Sequence, residues 1–224
     1  MRSDLGFSIE ASVFSDQECD SLLESLTQGA GQRSRAGIRH LMSNADVQRF
    51  ASDPRLVALV HRYLAVKAVP FRATLFDKSP QTNWLIPWHQ DTALPLETTF
   101  DAPGWGPWSR KAEVNYAHAP GWALARVIAL RVHLDASTAD NGPLRVIPNS
   151  HVDGVLSDEA VLKRVGDSET GAVECLTPRG GVVMMRPLTV HSSSKALSSN
   201  PRRVLHIEYA DSLDFGDRIR LAIS

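Results

Sequence analysis

One run, Arg126 to Leu134 (RVIALRVHL), alternates strictly between two kinds of side chain. In an extended strand, Ile128, Leu130, Val132 and Leu134 share one face, and Ala129, Arg131 and His133 share the other. The apolar face needs cover, which helices can supply. The polar face has two outlets. It either lines an interior cavity, where Arg131 and His133 need partners, or it faces water in a one-sided sheet. The sequence leaves both open.

Further runs of period two follow the same logic. Val69 to Asp77 reads as a strand ended by Lys78-Ser79-Pro80, and Trp84 to Asp91 as the next. Asn141-Gly142 marks a hairpin turn into Leu144 to Ile147. A short helical stretch spans Asp158 to Val165. Val173 to Leu176, a Gly180-Gly181 turn, Val182 to Met185 and Pro201 to Ala210 complete the pattern. The N-terminal residues 1–68 read instead as peripheral helices. Ser15-Asp16-Gln17-Glu18 is a capping box ahead of Cys19, Leu22, Leu23 and Leu26. Asp53-Pro54 caps a second helix with Leu56, Val57, Val60 and Leu64 on its apolar face. A mainly β chain with helices gathered at its start predicts a double-sheet jelly roll.

The 224 residues form one expected domain: N-terminal helices over 1–68 and a jelly-roll core over 69–211. Residues 92–121 show no clean periodicity and hold prolines at 95, 103, 107 and 120. All five tryptophans fall between Trp84 and Trp122, which argues for an ordered lid rather than a disordered linker. Trp105, Trp108, Tyr116 and His118 are its candidate pocket residues, with core packing an alternative for either tryptophan.

With 24 Lys+Arg against 25 Asp+Glu, bulk charge favours neither nucleic acid nor a membrane surface. No run suits a bilayer span or a signal core. Cys19 and Cys175 match no zinc spacing and read as reduced thiols, so a cytoplasmic protein is expected.

Chemistry concentrates at Trp88-His89-Gln90-Asp91. On a strand, His89 and Asp91 point the same way, giving an imidazole and a carboxylate on one face. Two histidines and one carboxylate with open positions suit non-haem Fe(II). The best third ligand is His191, at the end of an apolar strand. Arg202 begins the next strand, where a guanidinium can hold the far carboxylate of a chelating keto acid. His61 reads as a surface histidine and His151 as a loop residue. Between the first helices, Arg33 and Arg35 read as solvated, and Arg39, beside Ile38 and Leu41, as the pocket candidate. Two rivals remain: a metal-binding jelly roll without oxidative activity, and a zinc hydrolase.

These pieces, with Asn141-Gly142-Pro143-Leu144-Arg145-Val146-Ile147-Pro148-Asn149-Ser150-His151, resemble the phytanoyl-CoA dioxygenase family of Fe(II)- and 2-oxoglutarate-dependent oxygenases over about residues 70 to 211. The resemblance implies a cupin-like double-stranded β-helix. It implies iron held by His89, Asp91 and His191, and 2-oxoglutarate clamped by Arg202 and touched by Lys78. It also implies O₂ as co-reactant, and hydroxylation of a C–H with release of succinate and CO₂. Asp91 favours hydroxylation, or a desaturating or ring-forming variant, over halogenation, since related halogenases lack that carboxylate. Asn149 stands where the family usually has glycine, and asparagine tolerates left-handed backbone angles. Gly180-Gly181 stands where the family often has Gly-Asp. The expected substrate is a small carboxylate-bearing or amphipathic metabolite. Arg39, Arg131, His133, Arg110 and Lys111 are candidate polar contacts, and the tryptophans and Tyr116 a candidate wall.

Overall fold

The computed structural model describes residues 4–28, 33–34, 37–64, 67–79, 81–168 and 171–224. In chain order, the N-terminal part holds β1 (Phe7–Glu10), α1 (Asp16–Gln28), β2 (Arg33–Ser34), β3 (Gly37–Ile38), α2 (Ala45–Ala51) and α3 (Pro54–Val60). Then come β4 (Val69–Lys78), β5 (Ile86–His89), β6 (Ala93–Leu96), β7 (Trp108–Lys111), β8 (Val114–His118) and α4 (Gly121–Leu124). The remainder is β9 (Val127–His133), β10 (Leu144–Val146), α5 (Asp158–Gly166), β11 (Val173–Glu174), β12 (Val182–Met185), β13 (His191–Ser193) and β14 (Arg202–Ala210).

These strands form a large sheet in the order β1-β12-β9-β14-β4-β3-β2 and a small one in the order β11-β10-β13-β5, antiparallel throughout. Leu144 and Val146 of the small sheet pack on Val183 and Met185 of the large one, so the two face each other. This is the double-stranded β-helix, or jelly roll.

The outer face of the large sheet is apolar and is covered by the helices. Leu130, Val132, Leu205 and Ile207 share one buried cluster with Leu22, Leu26, Leu56 and Val60. Each such side chain contributes about 1.5–3 kcal/mol by leaving water. The Tyr209 hydroxyl donates to the Ala51 carbonyl at 2.9 Å, tying the sheet to α2. Sequence sets the helix starts. The Ser15 N–H donates to Glu18 Oε2 at 2.8 Å, and the Glu18 N–H returns to Ser15 Oγ at 3.3 Å. Asp53 accepts the Arg55 N–H at 2.8 Å. Asn149 takes the left-handed angle, φ 62°.

Four expectations need correction. The N-terminal part is not wholly helical, because β1 extends the large sheet beside β12, and β2 and β3 extend its other edge. A further helix, α2, starts at Asn44, whose side chain accepts the Asp46 and Val47 N–H groups. The strand expected over Trp84 to Asp91 is only β5, and it stops at His89. Residues 92–121 are not structureless, since β6, β8 and β7 form a third, antiparallel sheet. Arg35 and Pro80 lie outside the described residues. Cys19 and Cys175 are free and buried. Among the described residues, no helix is long and apolar enough to cross a membrane.

Candidate metal centre

β13 runs antiparallel to β5, which sets His191 opposite His89. Each ring is fastened through Nδ1–H to a carbonyl two residues back: His89 to Pro87 at 2.9 Å, and His191 to Thr189 at 2.8 Å. That fixes both tautomers and leaves the Nε2 lone pairs free, as metal-ligating histidines require. Asp91 lies past the end of β5, and its N–H donates to the Pro187 carbonyl at 2.9 Å. The carboxylate places Oδ1 at 3.5 Å from His89 Nε2 and Oδ2 at 3.5 Å from His191 Nε2. One donor atom from each of the three residues lies within 4.8 Å of the others. Between them, Gln90 turns away into the protein. Its amide donates to the Leu188 carbonyl at 2.7 Å and the Gly154 carbonyl at 2.9 Å, and its oxygen accepts the Leu156 N–H at 2.8 Å.

Electrostatics hold His191 and Asp91 in the forms that bind a cation, while His89 gives up a proton to one. Burial pushes the His191 imidazole down, against the pull of Asp91, to about 4, so it is neutral at pH 7. Burial alone would raise the Asp91 carboxyl, but His191 and His89 hold it well below the usual carboxylate range. For His89, the contact with Asp91 outweighs burial and raises its pKa. A neutral nitrogen and an ionised oxygen are the forms that bind metal.

On one side of this cluster the inner face of the large sheet is cationic. Lys78 of β4 and Arg202 of β14 are paired in register, and both are almost fully buried. Lys78 Nζ donates to Ser193 Oγ at 2.9 Å, and Arg202 Nη2 donates to the same oxygen at 3.2 Å. Arg202 Nε reaches the Asn141 carbonyl at 3.3 Å. Arg131 is buried beside them, with no partner for its Nε, and His133 has none for its Nε2. No acidic side chain among the described residues forms an ion pair with Lys78, Arg131 or Arg202. Burial, then Arg202 and Arg131, push the Lys78 ammonium down to about 7. Burial, then Arg131, push Arg202 to about 9. A buried cation without an anion is costly, so these three could hold an anionic ligand.

On the other side of Asp91 lies a cavity of about 310 Å³. Arg39, Arg72, Phe76, Lys111, Tyr116 and His206 are among its lining residues. Arg72 is ion-paired with buried Glu208, and Glu208 Oε1 lies 3.4 Å from His206 Nε2. Arg131 Nη1 donates to His206 Nδ1 at 3.3 Å, so this ring stands between the two pockets.

Arg39, Tyr116, His118 and Lys111 therefore meet at the cavity. Arg131 and His133, expected to contact substrate, lie instead on the cationic side, because β9 is covered by the small sheet at that level. His133 is satisfied on one side by Ser137, at 2.9 Å. Trp105 and Trp108 do not line the cavity. Both stand edge-on to Phe100, at 5.3 and 5.1 Å, and pack, half-buried, against an apolar cluster. Arg110 turns outward to Glu113 at 2.6 Å. His151 joins no metal cluster among the described residues and lies 4.0 Å from Asp4. The sequence reading passed over Arg72, Glu208 and His206. Their signal was available, since Arg72 shares a period-two face with Lys78, and His206 and Glu208 share one with Arg202. A wider concavity of about 650 Å³ between α1, α2 and α3 is remote from these groups, and its charged groups Glu18, Asp46, Asp53, Arg49 and Arg55 pair with one another.

A jelly roll that gathers two imidazoles and a carboxylate at its mouth, with a cationic recess behind, defines a class of metal-centred β-helix proteins. The chain matches the family described as "Phytanoyl-CoA dioxygenase (PhyH)" over residues 6–204, and it belongs to that family. It is 28% identical over 185 residues to an L-proline trans-4-hydroxylase of Streptomyces griseoviridis, a match covering 72% of this chain and 61% of that enzyme's length. Its fold is similar to that of EctD from S. alaskensis with 2-oxoglutarate and 5-hydroxyectoine, at TM-score 0.69 and 21% identity, covering 92% of this chain and 72% of the other. It is also similar to HygX from Streptomyces hygroscopicus with nickel and 2-oxoglutarate bound, at TM-score 0.63 and 16% identity, covering 92% and 83%.

Proposed function

We propose that the chain is an Fe(II)- and 2-oxoglutarate-dependent dioxygenase. It hydroxylates an unactivated C–H of a small, carboxylate-bearing or amphipathic metabolite. One atom of O₂ enters the product and the other enters succinate, with loss of CO₂. His89, Asp91 and His191 hold the iron, and Arg202 and Lys78 hold the distal carboxylate of 2-oxoglutarate. The observation that carries the reading is charge. Lys78, Arg131 and Arg202 are buried beside the two imidazoles and Asp91 with no ion-pair partner among the described residues, and 2-oxoglutarate is a dianion. A zinc hydrolase would leave these cations without a task.

Iron with bound 2-oxoglutarate supplies the oxidising power for C–H hydroxylation. The chain's own part is placement and exclusion of water. The carbonyls of Pro87 and Thr189 fix the imidazoles. Ser193 holds Lys78 and Arg202 on one oxygen, so both cations converge. The third sheet, β6-β8-β7, borders the cavity through Ala93, Lys111, Tyr116 and His118 and serves as the lid. The cavity is at the small end of the usual range of about 300–1,000 Å³ for ligand sites, which suits a compact metabolite. L-Proline, named for one relative, is of that size class.

The test is succinate formation from 2-oxoglutarate, Fe(II) and O₂ across a panel of small metabolites. The proposal requires at least one member to stimulate Fe(II)-dependent succinate release and to gain a hydroxyl. Folded protein that forms no succinate with or without the panel would refute it.

A further inference from the structure

The cavity beside Asp91 is unevenly charged. Among the described lining residues, Asp91 is the one acid, against Arg39, Arg72 and Lys111. Arg72 is already matched by Glu208, which does not line the cavity. Arg39 follows β3 at one edge of the large sheet, and Lys111 ends β7 in the third sheet, so they enter from different elements. Both side chains are exposed at the cavity rim, and among the described residues neither forms a hydrogen bond or an ion pair. Among the described residues, Lys111 has only the Tyr116 ring, at 5.7 Å. The rest of the wall offers the Phe76 and Tyr116 rings and the Thr74 hydroxyl. Gln90 has its amide committed to carbonyls and its oxygen to an N–H.

Resting on the dioxygenase reading, which commits the Asp91 charge to iron, we infer that the substrate is a small acid that carries no ammonium group. Its carboxylate is held by Arg39 and Lys111. A guanidinium and an ammonium without partners satisfy a carboxylate directly. An ammonium on the substrate would find no uncommitted carboxylate in this wall, and it would meet two like charges. The selected class is therefore hydroxy, oxo, alkyl or N-acylated carboxylic acids, as distinct from free zwitterionic amino acids.

The test is binding to the anaerobic Fe(II)–2-oxoglutarate protein, where nothing turns over. Probes are four- to six-carbon mono- and dicarboxylates, each titrated beside its α-amino counterpart, with cyclopentanecarboxylate and N-acetyl-L-proline beside L-proline. At least one ammonium-free acid binds saturably, tenfold or more tightly than its amino partner. The double variant Arg39→Ala/Lys111→Ala loses that binding by tenfold or more, and Arg39→Lys/Lys111→Arg keeps the preference. Amino acids binding as well as their deaminated partners would overturn the inference. So would no acid binding at all, or undiminished binding in the alanine variant. Failure of 2-oxoglutarate itself to bind is a separate result, and it would remove the dioxygenase reading first.

Discussion

His191 lies opposite His89 across the β13–β5 pair, with ring centroids 4.2 Å apart and both Nε2 atoms turned to the oxygens of Asp91. Strand pairing positions the two histidines, but Asp91 is beyond the strand. Its place depends on the Pro187 carbonyl and on Gln90, its neighbour in the chain, which makes three hydrogen bonds to Gly154, Leu188 and Leu156. Gln90→Leu should therefore weaken Fe(II) binding about tenfold or more, the usual penalty for losing a supporting contact behind a metal ligand. It should also cost about 1–3 kcal/mol through the groups left unpaired. Fe(II) titration and denaturant unfolding measure both, and unchanged affinity would show that Asp91 is held without Gln90.

Lys78 gives the site a pH dependence of known sign. Its folded pKa is pushed down to about 7 by burial and by Arg202 and Arg131, from a model-peptide value of 10.5. Between these limits the unfolded chain holds a proton that the folded protein lacks, so the protein without cosubstrate gains stability as pH rises from about 7 to 10.5. A dianion beside Lys78 favours its charged form. Binding of 2-oxoglutarate should thus take up a proton near pH 8 and weaken as pH rises above about 7. Calorimetry in buffers of different ionisation enthalpy reads the uptake, and Lys78→Met should abolish it. Affinity that is flat from pH 6 to 9 would contradict the assignment.

Arg202 should trade stability for function. It is buried, has no acidic partner among the described residues, and is pushed to about 9 by burial and Arg131. Replacing an uncompensated buried cation with an apolar side chain of similar length removes a desolvation cost. Arg202→Met should raise the stability of the protein without cosubstrate by about 1 kcal/mol or more, while raising the KM for 2-oxoglutarate a hundredfold. A destabilised variant with normal KM would mean that Arg202 is a structural residue.

The large sheet was readable because β4, β9 and β14 each alternate a helix-covered apolar face with a polar one. The starts of α1 and α3 were readable from Ser15 and Asp53. Alternation cannot say which polar face is enclosed, so Arg131 and His133 were legible as one polar face of β9, but neither as buried nor as neighbours of Lys78 and Arg202. The β7–β8 hairpin was hidden for a different reason. Its turn puts Ala112 and Glu113 at positive φ, where sequence rules expect glycine or asparagine. The tryptophans were legible as ordered, but an indole reads the same whether it walls a pocket or fills an apolar cluster.

Gly142 connects the turn signal in the sequence to the cationic recess. It sits at φ +70°, and a Cβ there would lie 2.3 Å from the Ser194 carbonyl oxygen and 3.0 Å from Lys78 Nζ. Gly142→Ala should destabilise the protein by about 1 kcal/mol or more and weaken 2-oxoglutarate binding by displacing Lys78. Unfolding midpoints and cosubstrate titration check the two effects together. A variant normal in both would show that the turn tolerates a side chain.

The account stands most directly on the anaerobic visible spectrum of the protein with Fe(II) and 2-oxoglutarate. Chelation of the keto acid at iron held by His89, Asp91 and His191 predicts a charge-transfer band. That band should be absent from a His191→Ala variant whose circular dichroism shows it folded. A wild-type protein that is folded and colourless, or a His191→Ala variant with the same band, would contradict the account.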